Sequence, residues 1–141
     1  MLNILIAEDN PTNQKLVQCI VTKDGHKASV VSNGQEALDA ALKTAYDVVL
    51  MDIQMPEMDG VEAMQKLNAF MQDECPPIVA LTAHAMLGDR EKYLGLGFDF
   101  YIPKPLNRSE LRRVLSIISN ARRRLEEQPI GLAYEANSSL Q

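Results

Sequence analysis

The stretch Val48-Val49-Leu50-Met51-Asp52 sets four apolar side chains in a row and ends them with a carboxylate. Ile53-Gln54-Met55-Pro56-Glu57-Met58-Asp59-Gly60 follows, a segment with Pro, Asp and Gly spaced as in a turn. A short apolar run closed by breakers reads as a strand buried on both faces, as in a parallel sheet, rather than one with a wet face. Such a sheet needs helices on both sides, which excludes a sandwich, a bundle or a fibre. Ligands of open parallel sheets bind beyond the carboxyl ends of the strands. Asp52 falls at such an end and is therefore the first candidate for chemistry.

The rest of the chain repeats the pattern. Residues 3–7 form a first apolar run ending in Glu8-Asp9-Asn10-Pro11, with Pro11 suited to the first turn of a helix. Leu16, Val17, Ile20 and Val21 continue at helical spacing. Residues 26–32 form a second strand, and Ala37, Leu38, Ala41 and Leu42 mark a second helix. The central strand is expected over 46–51. Asp59 caps the third helix with Glu62 three residues on, and Val61, Met64, Leu67 and Met71 give it an apolar stripe. Ile78-Val79-Ala80-Leu81 is a fourth strand closing on Thr82-Ala83-His84. Residues 86–96 are expected as a fourth helix of weak periodicity. A fifth strand over 98–102 closes on Pro103-Lys104-Pro105, and Asn107 caps a last helix with Leu111, Val114, Leu115 and Ile118 as its core stripe. Five strand–helix units with right-handed crossovers leave few arrangements. The expectation is a flavodoxin-like α/β fold, (βα)5, doubly wound around a five-stranded parallel sheet of order 2-1-3-4-5.

Length bounds the domain count. The chain of 141 residues is one domain, expected over 1–121, with 122–141 as a helix extension and a tail or linker. The hydrophobic fraction of 46% and charged fraction of 23% are those of an ordinary globule. A net charge of −5 argues against nucleic acid as a partner. No apolar stretch reaches the 18 or so residues of a membrane span, and no signal segment is evident, so the expectation is cytoplasmic with no membrane contact. Cys19 and Cys75 make no metal-ligand spacing and read as reduced, packed thiols.

The strand ends collect the chemistry. Strand 1 delivers Glu8 and Asp9, strand 3 Asp52, strand 4 Thr82 and strand 5 Lys104, whereas strand 2 delivers Ser32 and Asn33. Each has an ordinary alternative. Glu8-Asp9 suits any helix entry, Asp52 a turn, Thr82 a helix cap, and Lys104 any surface. Together they share one edge of the sheet. Three carboxylates at close range repel, and one would take up a proton unless a cation intervened. Hard oxygen ligands with open water positions suit Mg²⁺. Glu8 and Asp9 thus read as metal-positioning groups, with the Gln54 carbonyl able to complete the shell. Asp52 reads as a covalent nucleophile for phosphoryl transfer, Lys104 as the charge on a phosphoryl oxygen and Thr82 as a hydroxyl donor to another.

These residues also resemble a known family. Ile4-Leu5-Ile6-Ala7-Glu8-Asp9-Asn10, Met51-Asp52-Ile53-Gln54-Met55-Pro56-Glu57-Met58-Asp59-Gly60, Val79-Ala80-Leu81-Thr82-Ala83 and Lys104-Pro105 are similar to the receiver domain of two-component response regulators, over about residues 2–120. The resemblance implies that Asp52 accepts a phosphoryl group from phosphohistidine with Mg²⁺, and that Thr82 and Lys104 engage that group. It implies that Tyr101 turns inward with Thr82, switching the face made by the fourth helix, fifth strand and fifth helix, and that the Lys104–Pro105 bond is cis. Gln54 and His84 would line the path of attacking water and set the phosphoryl lifetime. The chain would catalyse its own phosphorylation and dephosphorylation rather than turn over a substrate.

The wording Glu8-Asp9-Asn10-Pro11-Thr12-Asn13-Gln14 is similar to receivers of hybrid sensor histidine kinases, which implies a histidine kinase or histidine phosphotransfer domain as partner. The chain is then a stand-alone regulator or, the favoured expectation, an excised receiver, free in the cytoplasm or part of a membrane-bound kinase, and a monomer or weak dimer. The first helix is the candidate dock, with Pro11, Leu16 and Ile20 as apolar contacts, although Leu16 and Ile20 could instead pack on the sheet, which is the favoured expectation for Ile20.

Three other readings share parts of this pattern. An aspartate-nucleophile phosphohydrolase of haloacid dehalogenase type would want a second aspartate where Gln54 stands, and a cap domain. A flavodoxin-like mononucleotide binder would want a Gly/Ser/Thr-rich loop where Glu8-Asp9-Asn10 stands. An EF-hand does not fit the spacing from Asp52 to Gly60.

Overall fold

The structure is a computed structural model and describes residues 1–83 and 86–127. Five strands alternate with five helices. These are β1 (Asn3–Ala7), α1 (Pro11–Lys23), β2 (Lys27–Val31), α2 (Gly34–Lys43), β3 (Val48–Asp52), α3 (Gly60–Met71), β4 (Ile78–Thr82), α4 (Asp89–Leu96), β5 (Phe100–Pro103) and α5 (Arg108–Glu127). A 3-10 turn, Gln72–Glu74, follows α3. The strands pair in parallel in the order β2-β1-β3-β4-β5, the flavodoxin-like arrangement that the alternation led us to expect.

Period-two alternation divides the apolar strands between two layers. Leu5, Ala7, Val49, Met51, Ile78 and Ala80 point to one side, where α2 and α3 cover them with Ala37, Leu38, Ala63, Met64 and Leu67. Ile4, Ile6, Val48, Leu50, Val79, Leu81 and Ile102 point to the other, under Val17 and Val21 of α1 and Leu111, Val114, Leu115 and Ile118 of α5. β3 and β4 are buried throughout. The edge strand β2 is half-buried or exposed along its length.

The helix starts follow their caps. Asn10, Asn33, Asp59 and Asn107 each accept backbone N–H groups from the first turn that follows, which satisfies donors that have no partner within the helix. α4 departs from expectation. It begins at Asp89 rather than Met86, because Gly88 at φ +89° cannot lie in a right-handed helix. A turn precedes it, in which Asp89 donates its N–H to the Met86 carbonyl and accepts the Met86 N–H at Oδ2. β5 also starts two residues late, at Phe100, because Gly97 ends α4 at φ +129° and the Phe98 N–H turns back to the Tyr93 carbonyl of that helix. α5 runs unbroken past residue 121 to Glu127. Residues 128–141 of the expected tail lie outside the described residues. Among the described residues, no helix is long and apolar enough to cross a membrane.

Candidate functional site

β1 and β3 lie side by side with Ala7 opposite Met51. The residue after β1, Glu8, therefore meets the last residue of β3, Asp52. β4 ends beside them at Thr82, paired with Pro103 of β5, and Lys104 comes next in the chain. One sheet edge thus gathers Glu8, Asp52, Thr82 and Lys104. Glu8, Asp52 and Thr82 are buried, whereas Asp9 is exposed at the rim. Oxygens of Glu8, Asp9 and Asp52 lie within 4.8 Å of one another.

Lys104 joins the two buried carboxylates. Its Nζ donates to Glu8 Oε2 and to Asp52 Oδ2, each at 3.0 Å. The other oxygens are held as well. Asn13 Nδ2 donates to Glu8 Oε1 at 2.9 Å, and the Gln54 N–H donates to Asp52 Oδ1 at 3.1 Å. Burial pushes the Asp52 carboxyl up to about 7, helped by Glu8 beside it and opposed by Lys104. Burial also pushes on Glu8, but hydrogen bonds with Asp52, Lys104 and Asn13 outweigh it and leave Glu8 below the usual range. For Lys104, burial disfavours the charge, yet its two carboxylate partners prevail and its pKa is raised. Glu8 is therefore the more acidic of the two, and Asp52 takes up a proton more readily than an ordinary carboxyl when no other cation is present.

The β3–α3 connection is built to close on this edge. The Gly60 N–H donates to the Ile53 carbonyl and the Gly34 N–H to the Met58 carbonyl, each at 2.9 Å. A Cβ on Gly60 would lie 2.2 Å from the Asp52 carbonyl oxygen, and one on Gly34 would lie 2.3 Å from that of Met58. Between these staples Glu57 takes φ +66°, with the Met58 N–H turned back to the Pro56 carbonyl at 2.7 Å. An open cavity of about 510 Å³ lies against this loop, lined by Asp9, Ile53, Gln54, Met55, Pro56 and Asp59.

The remaining expected residues divide as follows. The Lys104–Pro105 bond is cis. Tyr101 is already buried, stacked on Tyr93 of α4 with ring centroids 6.0 Å apart. Gln54 is exposed beside the cavity. His84 lies outside the described residues. Ile20 is half-buried against the core under α1, whereas Leu16 is half exposed. Asn13 and Gln14, which the sequence pattern assigns no role at the strand edge, both reach Glu8. Gln14 Nε2 donates to the Glu8 carbonyl and, at 3.2 Å, to Ser32 Oγ. The cap at Asn10 fixes the first turn of α1 over the end of β1, but nothing in the residue pattern marks which side chains of that turn reach Glu8.

Comparison with known proteins agrees with this geometry. The family model described as the response regulator receiver domain matches residues 4–116. "Hybrid signal transduction histidine kinase I" of Dictyostelium discoideum is 42% identical over 120 residues, covering 80% of this chain but 7% of that protein. The chain thus spans a small part of this relative. The receiver domain of sensor histidine kinase PA1611 from Pseudomonas aeruginosa PAO1, solved with a magnesium ion coordinated in its active site cleft, superposes with a TM-score of 0.76. It is 38% identical, and the match covers 84% of this chain and 98% of that one. The receiver domain of Ssk1 from Saccharomyces cerevisiae, solved in complex with the histidine phosphotransfer protein Ypd1, gives a TM-score of 0.73 at 30% identity, covering 79% and 83%. The fold, the edge-clustered carboxylates and these matches lead to one conclusion, that the chain belongs to the response regulator receiver domain family.

Proposed function

We propose that the chain is the phosphoacceptor receiver of a phosphorelay of the hybrid histidine kinase type, with Asp52 as the residue modified. The observation that carries this reading is the Lys104 ammonium 3.0 Å from both Glu8 and Asp52 at the sheet edge. Asp52 Oδ attacks phosphorus, the P–N bond of a phosphohistidine breaks, and the freed imidazole keeps the bonding pair. Lys104 turns from Asp52 to a phosphoryl oxygen, and the Thr82 hydroxyl donates to another. Catalysis of this kind rests on positioning and electrostatics.

The donor set fits Mg²⁺. Three carboxylates within 4.8 Å supply hard oxygens, and the site already accommodates one cationic group between two of them. Glu8, Asp9 and Asp52, with the Gln54 carbonyl, would hold the ion. When bound, it neutralises charge that develops on the transferred group. Magnesium in the Pseudomonas neighbour supports the assignment. The haloacid dehalogenase alternative lacks support, since Gln54 at the position of the second aspartate carries no acid.

The donor is a histidine kinase or a histidine phosphotransfer domain, and the yeast complex supports the second. A cleft of about 90 Å³ beside Lys104, lined by Asn13, Leu16, Val17, Pro105 and Leu106, offers apolar contact from α1 and the β5–α5 turn for such a partner. The output is a shift of the α4–β5–α5 face. Tyr101, buried against Tyr93, is its reporter, and Thr82→Ala should keep phosphorylation while blunting the shift. Gln54 and His84 would set the lifetime of the phosphoaspartate, and the setting would be cytoplasmic.

Intact-mass spectrometry tests the reading. Wild type incubated with Mg²⁺ and acetyl phosphate should gain one phosphoryl group, lost on chelation of the metal and absent in Asp52→Asn. An adduct that persists in Asp52→Asn, or none in wild type with either acetyl phosphate or a phosphohistidine protein, would overturn it.

A further inference from the structure

Glu8 is held at both carboxylate oxygens, by one side chain far along the chain and by one from the helix that follows it. Lys104, 96 residues away, takes Oε2, and Asn13 takes Oε1. Lys104 is drawn to any anion that arrives at Asp52, whereas Asn13 carries no charge and has no such reason to move. The backbone of Asn13 is itself fixed, because Asn10 Oδ1 accepts its N–H at 3.1 Å and that of Thr12 at 2.9 Å. The next residue adds a second restraint, since the Gln14 amide holds the Glu8 carbonyl. The first turn of α1 thus grips Glu8 by side chain and by main chain, and ties it through Ser32 to the start of α2, where Glu36 Oε1 accepts the Ser32 N–H at 2.8 Å.

We infer that Asn13 is a positioning residue for the cation site. It fixes the rotamer of the Glu8 carboxylate, so that one oxygen stays turned away and the other stays aimed at the space between Glu8, Asp9 and Asp52. This rests on the proposed phosphoacceptor reading and deepens it. Groups that orient a ligand without touching the metal are worth about 10- to 100-fold in affinity when removed. Without Asn13 the Glu8 side chain gains rotamers, and the entropy lost on restraining it falls on the binding step.

The same arrangement has a bland explanation, in which Asn13 merely fastens α1 to the sheet. A double-mutant cycle separates the two, because residues acting through one another are not additive. Mg²⁺ affinity would be measured by calorimetric titration of wild type, Asn13→Ala, Glu8→Gln and the double variant, alongside their thermal midpoints without metal. The expected result is roughly tenfold weaker binding for Asn13→Ala, no further loss when Asn13→Ala is added to Glu8→Gln, and a midpoint for Asn13→Ala close to wild type. Equal losses from Asn13→Ala with and without Glu8→Gln would overturn the inference, as would wild-type affinity in Asn13→Ala. Acetyl phosphate labelling of wild type keeps the two readings apart. Labelled wild type with an unaffected Asn13→Ala sinks the Asn13 role alone, whereas a wild type that neither binds Mg²⁺ nor is labelled sinks both.

Discussion

The Lys104 ammonium holds together two carboxylates that would otherwise drive each other apart. Asp52 is disfavoured as an anion by burial and by Glu8, which makes it costly to the fold in the metal-free state. Asp52→Asn removes that charge and keeps the shape, and its one amide oxygen can serve Lys104 at the expense of the bond from the Gln54 N–H. It should stabilise the chelated protein by about 1–2 kcal/mol near pH 8, read by urea unfolding. A loss of stability would mean that the Lys104 pair outweighs the repulsion. At this scale the sequence was informative wherever chemistry coincides with a strand end. Glu8, Asp9, Asp52, Thr82 and Lys104 could be named because four parallel strands finish at one edge. Asn13 could not, because its role depends on how the first turn of α1 folds back over Glu8, and no periodicity encodes that. Tyr101 shows a related limit. The resemblance implied inward movement, and the structure describes the ring already buried.

Elements meet at joints whose geometry a single atom can spoil. Gly60 brings α3 so close to β3 that an added Cβ meets the Asp52 carbonyl oxygen at 2.2 Å. Backbone cannot yield as a flexible side chain can. Gly60→Ala should cost about 1–3 kcal/mol in denaturant unfolding and slow labelling by acetyl phosphate, since the displaced strand end carries Asp52, the proposed nucleophile. Unchanged rate and stability would show that the loop relaxes freely. A second joint links α1 to β2, where His26 Nδ1 accepts the Leu2 N–H at 2.9 Å. Burial holds the His26 pKa below its ordinary value. The neutral ring is the form that accepts this bond. Its contribution is therefore complete above the unfolded pKa of about 6.5 and is lost as pH falls through the lower folded value. The thermal advantage of wild type over His26→Gln should be full at pH 7 and shrink toward pH 5. An advantage constant across that range would contradict the assignment. Strands, helices and caps were legible because apolar runs and Asn or Asp starts announce them. The start of α4 was not, since none of its residues is buried and its limit is set by the left-handed Gly88.

For the whole molecule, the alternation of strand and helix sufficed for the strand order, but not for where the last helix ceases to matter. α5 contributes to the core as far as Ile118. At the α1 end it is clasped by Arg112, whose guanidinium lies 2.7 Å from Asp24 Oδ1, with Arg108 at 3.3 Å. The Arg112 hydrogen bonds hold the Asp24 carboxyl below the usual range. Beyond the core, Arg122 pairs with Asp47, whose Oδ2 accepts the Asn3 N–H at 2.7 Å, and Leu125 is exposed. Asp47 precedes β3 at the edge of the sheet opposite Asp52, so the Arg122 pair touches stability and not chemistry. A chain ending at residue 121 keeps the core stripe and both Asp24 contacts and loses that pair. Exposed or half-exposed ion pairs contribute roughly 1 kcal/mol or less, which corresponds to at most about 4 °C in the thermal midpoint of a domain this size. Residues 1–121 should fold, melt slightly lower than 1–141 and accept a phosphoryl group from acetyl phosphate at the same rate. An unfolded 1–121 would place the domain limit further along α5. A folded 1–121 with slowed labelling would show that the last turns of α5 act on the site from the opposite edge of the sheet.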